Sequence, residues 1–140
     1  MIADFGTSSI IPLLIDEPSS SVREGLWDDA TRVVSVRLLH AESRAALARA
    51  RRLDRLAPHE LRAAAIDLER TVEQIDHVEV TDALVREAGE LAEAHGLRGY
   101  DAVHLAAALS LTDAELVFVT GDRALADAAT DLLMSTARTN

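Results

Sequence analysis

Short apolar segments alternate with helical patterns along this sequence, and this alternation restricts its fold more than any other feature. The strand-like segments are Met1–Phe5, Arg32–Ser35, His77–Val80 and Leu116–Val119. The segments between and after them have apolar residues at a spacing of three and four, which is typical of helices. Strands separated by helices pair in parallel, because parallel neighbours need a crossover connection. The pattern therefore predicts an α/β fold, with a central, mostly parallel sheet of about four strands flanked by helices.

Helix boundaries follow from capping residues. Thr7 or Ser8 can cap a first helix, and Thr81 can cap one that Gly96 ends, since glycine readily adopts left-handed geometry after a helix. The predicted helices cover Ser9–Asp16, Ser21–Ala30, Val36–Leu53, Pro58–Gln74, the residues from Thr81 to His95, Tyr100–Leu111, and a last helix through Met134. There is no internal repeat and no linker, so the 140 residues are expected to form a single domain, residues 1–140.

Composition limits the chemistry and the compartment. The chain has no cysteine, which excludes disulfides, thiolate ligands and a cysteine nucleophile. All fourteen basic residues are arginine, so every lysine-dependent mechanism is excluded as well. No apolar run reaches the length of a bilayer span and no signal peptide is indicated, which predicts a cytoplasmic protein without membrane contact. Metal chemistry would have to use carboxylate or imidazole groups.

Glu42 is the most informative single residue. Its helical neighbours at three and four residues' distance are Leu38, Leu39, Ala45 and Ala46, so a carboxylate lies in an apolar stripe. A buried carboxylate needs a cation, a hydrogen-bond network or a water-filled cleft. A salt bridge to Arg49 or to another arginine would meet that need as well as a functional site would.

Two aspartates stand at the starts of predicted helices. Asp101 precedes an apolar helix, and Asp122 follows the strand that ends at Val119. Either residue alone is well explained as a helix N-cap. Together with Glu42, however, they are three acids at the ends of separate elements, and parallel sheets bind ligands beyond the carboxyl ends of their strands. Hard cations prefer oxygen ligands, so this arrangement favours Mg²⁺, with Mn²⁺ as the alternative.

The order of these features along the chain resembles that of PIN domains, and among them bacterial VapC toxins. The resemblance runs from Met1 to about Ala129 and is clearest in three stretches: residues 7–18 (TSSIIPLLIDEP), residues 100–108 (YDAVHLAAA) and residues 119–125 (VTGDRAL). It implies a PIN-like three-layer fold and a metal-dependent ribonuclease that hydrolyses RNA phosphodiester bonds. It also implies a homodimer and neutralisation by a VapB-type antitoxin.

The resemblance assigns the metal site and shows one departure from it. PIN domains end their first strand with an aspartate before a threonine and a serine, and here that position is Gly6. Asp101, Glu42 and Asp122 would be the remaining catalytic metal ligands, while Ser8 and Thr120 would orient carboxylates. Asp4 would lie about 6.6 Å back along the strand, too far to replace the missing ligand without rearrangement. The chain is therefore expected to be catalytically impaired, whether Gly6 is natural or engineered.

RNA binding by a chain of net charge −10 requires a local basic patch. Residues 32–55 hold seven arginines against two acids, which makes this segment locally positive. Arg49 lies two turns from Glu42 on the same helix side and is the predicted phosphate contact. A solvated helix face is the alternative explanation for most of these arginines.

Three other classes of protein place acids at strand ends or suit an acidic chain. A phosphoacceptor receiver domain needs a lysine, which this chain lacks, and the same absence weakens a haloacid-dehalogenase-type phosphatase. The remaining alternative is a non-catalytic PIN-like binding module that acts through an antitoxin or another protein partner. Gly6 need not affect that kind of binding.

Overall fold

A computed structural model describes residues 1–111 and 115–139 of the chain. Over these residues it contains five strands, β1 (Ile2–Phe5), β2 (Arg32–Val36), β3 (Asp76–Val78), β4 (Leu116–Thr120) and β5 (Ser135–Arg138). The seven helices in the same residues are α1 (Thr7–Leu14), α2 (Ser20–Asp29), α3 (Leu39–Arg52), α4 (Pro58–Glu73), α5 (Asp82–His95), α6 (Gly99–Ser110) and α7 (Arg123–Asp131). The predicted α/β class is confirmed.

The strands form one sheet in the order β3-β2-β1-β4-β5, and every neighbouring pair is parallel. The centre of the sheet is β1, where Asp4 lies opposite Val34 on one side and Phe118 on the other. The carboxyl ends of β1 and β4 therefore meet at one edge of the sheet. Gly6 continues this alignment, since its backbone N–H donates to the carbonyl oxygen of Val119 at 3.1 Å.

Helices cover both faces of the sheet and bury two apolar cores. On one face Ala3 and Phe5 pack with Ile10, Leu47 and other residues of α1, α3 and α4. On the other face the strands pack against α5, α6 and α7, through Val34, Leu105, Phe118, Leu125 and Ala106 among others. A sheet buried on both faces needs apolar residues at successive positions, which explains why β2 and β4 are nearly continuous apolar runs.

The prediction of about four strands was one strand short. The fifth strand, Ser135–Arg138, is a short polar segment at the sheet edge, and it lacks the apolar alternation that identifies a strand in sequence. It begins at Ser135, directly after Met134, the last residue of the predicted helix. The last helix ends at Asp131, and Leu133 then adopts a φ of 63°, which turns the chain back along β4.

Two further boundaries differ from the prediction. The second strand continues to Val36, and helix α3 begins only at Leu39, because Val36 pairs with Val78 of β3. The first helix begins at Thr7 instead of Ser9. By contrast, Thr81 caps α5 and Gly96 ends it in the left-handed conformation, both as predicted. Within the described residues, no helix is long and apolar enough to cross a membrane.

Candidate active site

One cavity of about 630 Å³ lies beyond the carboxyl ends of β1 and β4, between helices α1, α3 and α6. Every residue that the sequence assigned to a site lines this cavity: Gly6, Ser8, Glu42, Arg49, Asp101, Thr120 and Asp122. They come from four separate parts of the chain, and only the topology of the parallel sheet brings them together. Asp4 does not line the cavity.

Glu42 projects from the first turn of α3 and is held by a histidine. Its Oε1 lies 2.9 Å from Nε2 of His104, and its side chain is 21% exposed. His104 is almost fully buried on α6, and the same Nε2 is 3.5 Å from the hydroxyl of Thr7. The carboxylate in the apolar stripe thus has a histidine partner, and within the described residues it forms no ion pair with Arg49 or another arginine. One oxygen of Glu42 remains for the cavity.

Asp101 and Asp122 share one guanidinium group. Nε of Arg98 lies 3.1 Å from Oδ2 of Asp101, and its Nη2 lies 3.8 Å from Oδ2 of Asp122. Burial raises the pKa of Asp101, with a further contribution from the negative charge of Asp122, while Arg98 opposes the rise. The Asp101 carboxylate raises the pKa of Arg98 in turn. The single positive charge of Arg98 therefore offsets part of the negative charge of the two aspartates.

The capping role differs between the two aspartates. Asp122 is the N-cap of α7, and its Oδ1 accepts a hydrogen bond from the backbone N–H of Leu125 at 2.9 Å. Its Oδ2 faces the guanidinium of Arg98 at 3.8 Å. Asp101 is not a cap, because α6 starts two residues earlier at Gly99 with Arg98 as its N-cap. The carboxylate of Asp101 lies in the first helical turn, where the helix dipole favours negative charge.

Ser8 and Thr120 hold the turn that carries Asp122. The Ser8 hydroxyl accepts from the backbone N–H of Gly121 at 3.0 Å, and the Thr120 hydroxyl accepts from that of Asp122 at 3.0 Å. The two hydroxyls are 3.3 Å apart. The resemblance implied that these two hydroxyls would orient carboxylates. Here both accept hydrogen bonds from the main chain of the turn that carries Asp122, so they would position this carboxylate through the main chain. Ser8 is free to do so because Gly6, and neither Thr7 nor Ser8, is the N-cap of α1.

A buried arginine packs behind this turn. A Cβ on Gly121 would lie 2.7 Å from Nη2 of Arg23, so a larger residue there would displace the guanidinium. Arg23 is 2% exposed and donates from Nη1 to the carbonyl oxygen of Thr139 at 2.8 Å. It therefore links the turn to the end of β5. Nothing in the sequence pattern indicates that this arginine is buried.

Position 6 has room for the side chain that it lacks. A Cβ built on Gly6 would meet only the Val119 carbonyl oxygen at 3.7 Å and the Thr120 hydroxyl at 3.9 Å, both ordinary contacts. The backbone of Gly6 has φ −73° and ψ 165°, which any residue can adopt. Glycine is therefore not required here by space or by conformation.

The donor set suits a hard divalent cation, although one ligand is missing. Carboxylate oxygens of Glu42, Asp101 and Asp122 line one cavity, and oxygen is the ligand atom that Mg²⁺ and Mn²⁺ prefer. As they stand, no three His, Asp or Glu side chains among residues 1–111 and 115–139 converge closely enough to hold one ion. Position 6 contributes no carboxylate, and Arg98 contacts those of Asp101 and Asp122.

Sequence reasoning missed Arg98 as a site residue and left His104 as a packed or supporting residue. Arg98 stands three residues before Asp101, a spacing that brings side chains together on a helix start. That signal was available, but its second contact with Asp122 is tertiary. Tyr100 and Arg52 also line the cavity, and the Arg98 guanidinium lies 5.1 Å from the centre of the Tyr100 ring.

Comparison with known proteins identifies relatives of the whole arrangement. The family model described as PIN domain matches residues 6–131. Two proteins of Mycobacterium tuberculosis, ribonuclease VapC45 and ribonuclease VapC49, are each 44% identical to the chain over 121 residues. Each match covers 86% of this chain and 84% of the relative.

Solved structures share the fold at lower identity. PAE2754 from Pyrobaculum aerophilum superposes with a TM-score of 0.63 at 23% identity, over 91% of this chain and 77% of that one. VapBC2 from Rickettsia felis, bound to a DNA fragment of its promoter, superposes with a TM-score of 0.65 at 14% identity over the full length of both chains. At these identities the likeness establishes the fold.

Proposed function

Because this chain belongs to the PIN-domain family, we propose that it is a VapC-type, metal-dependent ribonuclease toxin whose catalysis is impaired at Gly6. The observation that supports the proposal is that Glu42, Asp101 and Asp122 line one cavity, in which Gly6 stands at the position of a fourth carboxylate. Relatives that are 44% identical bear the name ribonuclease. The reaction proposed is the hydrolysis of RNA phosphodiester bonds.

Glu42, Asp101 and Asp122 would hold the metal, Mg²⁺ by preference or Mn²⁺. A divalent ion at this place would supply an activated water and would stabilise negative charge on the phosphate. The protein's own part is orientation: His104 directs Glu42, and the main chain held by Ser8 and Thr120 directs Asp122. An aspartate at position 6 would add the missing ligand, since a side chain fits there without displacing its neighbours.

The proposed partners follow from the relatives. We propose that a VapB-type antitoxin neutralises this chain, as the fold neighbour from Rickettsia felis is a VapBC assembly. A groove between α1 and α3 could receive a segment of such a partner. Ile11, Ile15, Ala50 and the half-exposed Leu53 give it an apolar part, and Glu17, Arg49 and Arg55 give it a charged part. A homodimer and a cytoplasmic location, where RNA substrates are found, complete the proposal.

Cleavage of RNA by the wild-type chain and by Gly6→Asp tests the function. Both proteins are incubated with total RNA in Mg²⁺ or Mn²⁺, and a chelator control removes the metal. Cleavage by Gly6→Asp that requires metal, with little or none by the wild type, supports an impaired nuclease. A Gly6→Asn variant has the same size without the charge and should not cut. Absence of cleavage by Gly6→Asp on any RNA offered would count against the nuclease.

A non-catalytic binding module is the second candidate, and the bare position 6 favours it. Gly6 removes a ligand without disturbing the groove between α1 and α3, so partner binding would survive the loss of catalysis. Antitoxin binding by the wild type that equals binding by Gly6→Asp, combined with no cleavage by either protein, would make this the better description.

A further inference from the structure

A second groove, separate from the catalytic cavity, runs between α3 and α4 and is lined by three arginines. Arg44 and Arg51 lie seven residues apart on α3, which is about two helical turns, and Arg62 faces them from α4. Alanines at positions 45, 48 and 65 form part of the remaining lining, and the groove encloses about 680 Å³. Small side chains on the groove wall leave the guanidinium groups accessible to a ligand.

The groove is lined by positive charge, although the whole chain is acidic. The chain carries a net charge of −10, yet no acidic side chain lines the groove. Arg44 and Arg51 reach exposed acids outside it only at long range, Glu69 at 3.8 Å and Asp54 at 3.7 Å. Exposed pairs of this kind contribute little and exchange readily for a stronger anion. Arg62 makes no ion pair within the described residues.

The groove adjoins the candidate active site across helix α3. Ala45 lines both cavities, so α3 separates them by little more than its own width. On the catalytic side of α3 the cavity lining includes Arg49 and Arg52. A polymer whose reacting phosphate lies at the carboxylates could cross α3 past these arginines and continue between Arg44, Arg51 and Arg62.

We propose that this groove binds the phosphate backbone of RNA next to the cleavage site and so extends the substrate site beyond the catalytic cavity. The inference rests on the proposed ribonuclease function. Charge complementarity favours a polyanion, and the row of arginines along α3 suits a ligand with regularly repeated charge. Arginine also contacts phosphate through two nitrogen atoms at once. Pro58 and Leu61 add apolar surface for ribose and base.

The test measures RNA affinity of a variant in which Arg44, Arg51 and Arg62 are all changed to alanine. The probes are fluorescent oligoribonucleotides, one a trinucleotide and the other a dodecanucleotide, and a chelator prevents their metal-dependent cleavage during the binding measurement. The triple variant should bind the dodecanucleotide about tenfold or more weakly, with a slope of log affinity against log salt reduced by about 2, since each single-strand phosphate contact contributes about 0.7. Affinity for the trinucleotide, which fills only the catalytic cavity, should change little.

The matched control changes three arginines on other surfaces, Arg32, Arg70 and Arg86, to alanine. Each of them pairs with one exposed acid, and the change in net charge is the same. An equal loss of dodecanucleotide affinity in the control would overturn the proposal, as would unchanged affinity in the triple variant. Loss of binding to a polyglutamate peptide with RNA binding intact would also overturn it, in favour of an acidic protein partner. Lysine at the three positions should restore most of the salt dependence.

Cleavage assays separate a failure of this inference from a failure of the proposed function. The three alanine substitutions are introduced together with Gly6→Asp. If Gly6→Asp cuts a long RNA equally well with and without them, the groove does not bind substrate and the nuclease still stands. If Gly6→Asp cuts nothing while dodecanucleotide binding depends on the three arginines, the groove binds RNA and the ribonuclease proposal fails.

Discussion

At the scale of single residues, the most unusual group is the carboxyl of Asp4. It is 1% exposed at the centre of the sheet, and neither oxygen has a hydrogen-bond partner within the described residues. Burial raises its pKa to about 7, although the nearby His104 opposes the rise. An acid with such a pKa is largely protonated in the folded protein at mildly acidic pH, whereas the unfolded chain has already released the proton.

Asp4 should therefore make stability fall as pH rises. Below the unfolded pKa of 3.8 both states hold the proton; between 3.8 and about 7 only the folded state holds it, so each step up in pH favours unfolding. The loss should reach about 4 kcal/mol by pH 7 and then level off. Urea unfolding from about pH 4 to about pH 8 measures it as the difference between wild type and Asp4→Asn. A difference that does not vary with pH would contradict the prediction.

Gly6 determines how strongly a metal stabilises the fold. A ligand that binds only the folded state raises its stability, and a fourth carboxylate should tighten that binding. Mn²⁺ should therefore raise the melting temperature of Gly6→Asp more than that of the wild type, while the metal-free Gly6→Asp protein should melt lower because its carboxylates repel one another. Gly6→Asn is the control for side-chain size. Equal shifts with Mn²⁺ in wild type and Gly6→Asp would remove position 6 from the ligand set.

Arg98 should compete with the metal for Asp101 and Asp122. It contacts both carboxylates from an exposed position, so replacing it with glutamine should change the stability of the metal-free protein little. Mn²⁺ affinity should rise several-fold in Arg98→Gln, because the ion no longer has to displace a cation, and calorimetric titration measures this. Arg86→Gln, which breaks an ion pair on α5, controls for the change in net charge. Unchanged or weaker Mn²⁺ binding in Arg98→Gln would refute the competition.

At the scale of elements, the turn between β4 and α7 is the part that positions Asp122. The hydroxyl of Thr120 is buried and accepts from the backbone N–H of Asp122. Changing Thr120 to valine keeps the shape but leaves that N–H without its partner, which should cost about 1–2 kcal/mol in unfolding free energy. Mn²⁺ affinity should fall too, although no carboxylate has been changed. Thr120→Ser keeps the hydroxyl and should restore both quantities; failure to do so would argue that packing alone is responsible.

The edge strand β5 also supports the turn that carries Asp122. Ser135–Arg138 pairs with β4 along its full length, and Arg23 binds the carbonyl oxygen of Thr139 just beyond it. The same guanidinium packs against Gly121 in the turn that carries Asp122. The end of the chain thus supports the candidate site from behind.

At the scale of the whole molecule, charge is distributed so that an acidic protein keeps a positive surface near its acidic site. Arg49 is exposed at the cavity and forms no ion pair within the described residues, so it is free to meet a phosphate. Replacing Arg49 with alanine should weaken RNA affinity and reduce the salt slope by about 0.7. Fluorescence anisotropy over a range of salt concentrations measures both. Arg70→Ala, on the outer side of α4, is the matched control, and an unchanged slope in Arg49→Ala would exclude this contact.

The sequence alone was sufficient for the fold class and for the acidic residues that line the cavity, but it did not identify Arg98. Period and length distinguish strands from helices, and parallel pairing then brings strand ends to one edge, so Glu42, Asp101 and Asp122 could be expected to meet. The glycine at position 6, where PIN domains have an aspartate, is likewise visible in the sequence. These features are local, or follow from local features by a general rule of topology.

Only the tertiary structure determined which charged and polar groups pair with each other. The sequence allowed Glu42 to pair with an arginine, but in the structure its partner is His104. It also allowed Asp101 to be a helix N-cap, but in the structure Asp101 and Asp122 both contact Arg98. The hydroxyls of Ser8 and Thr120 went to the backbone, and a polar segment became β5 because β4 offered an open edge. These partners depend on distances between residues that are far apart in the sequence, and a few ångströms decide whether an ion pair forms. The spacing of residues along the chain does not give those distances.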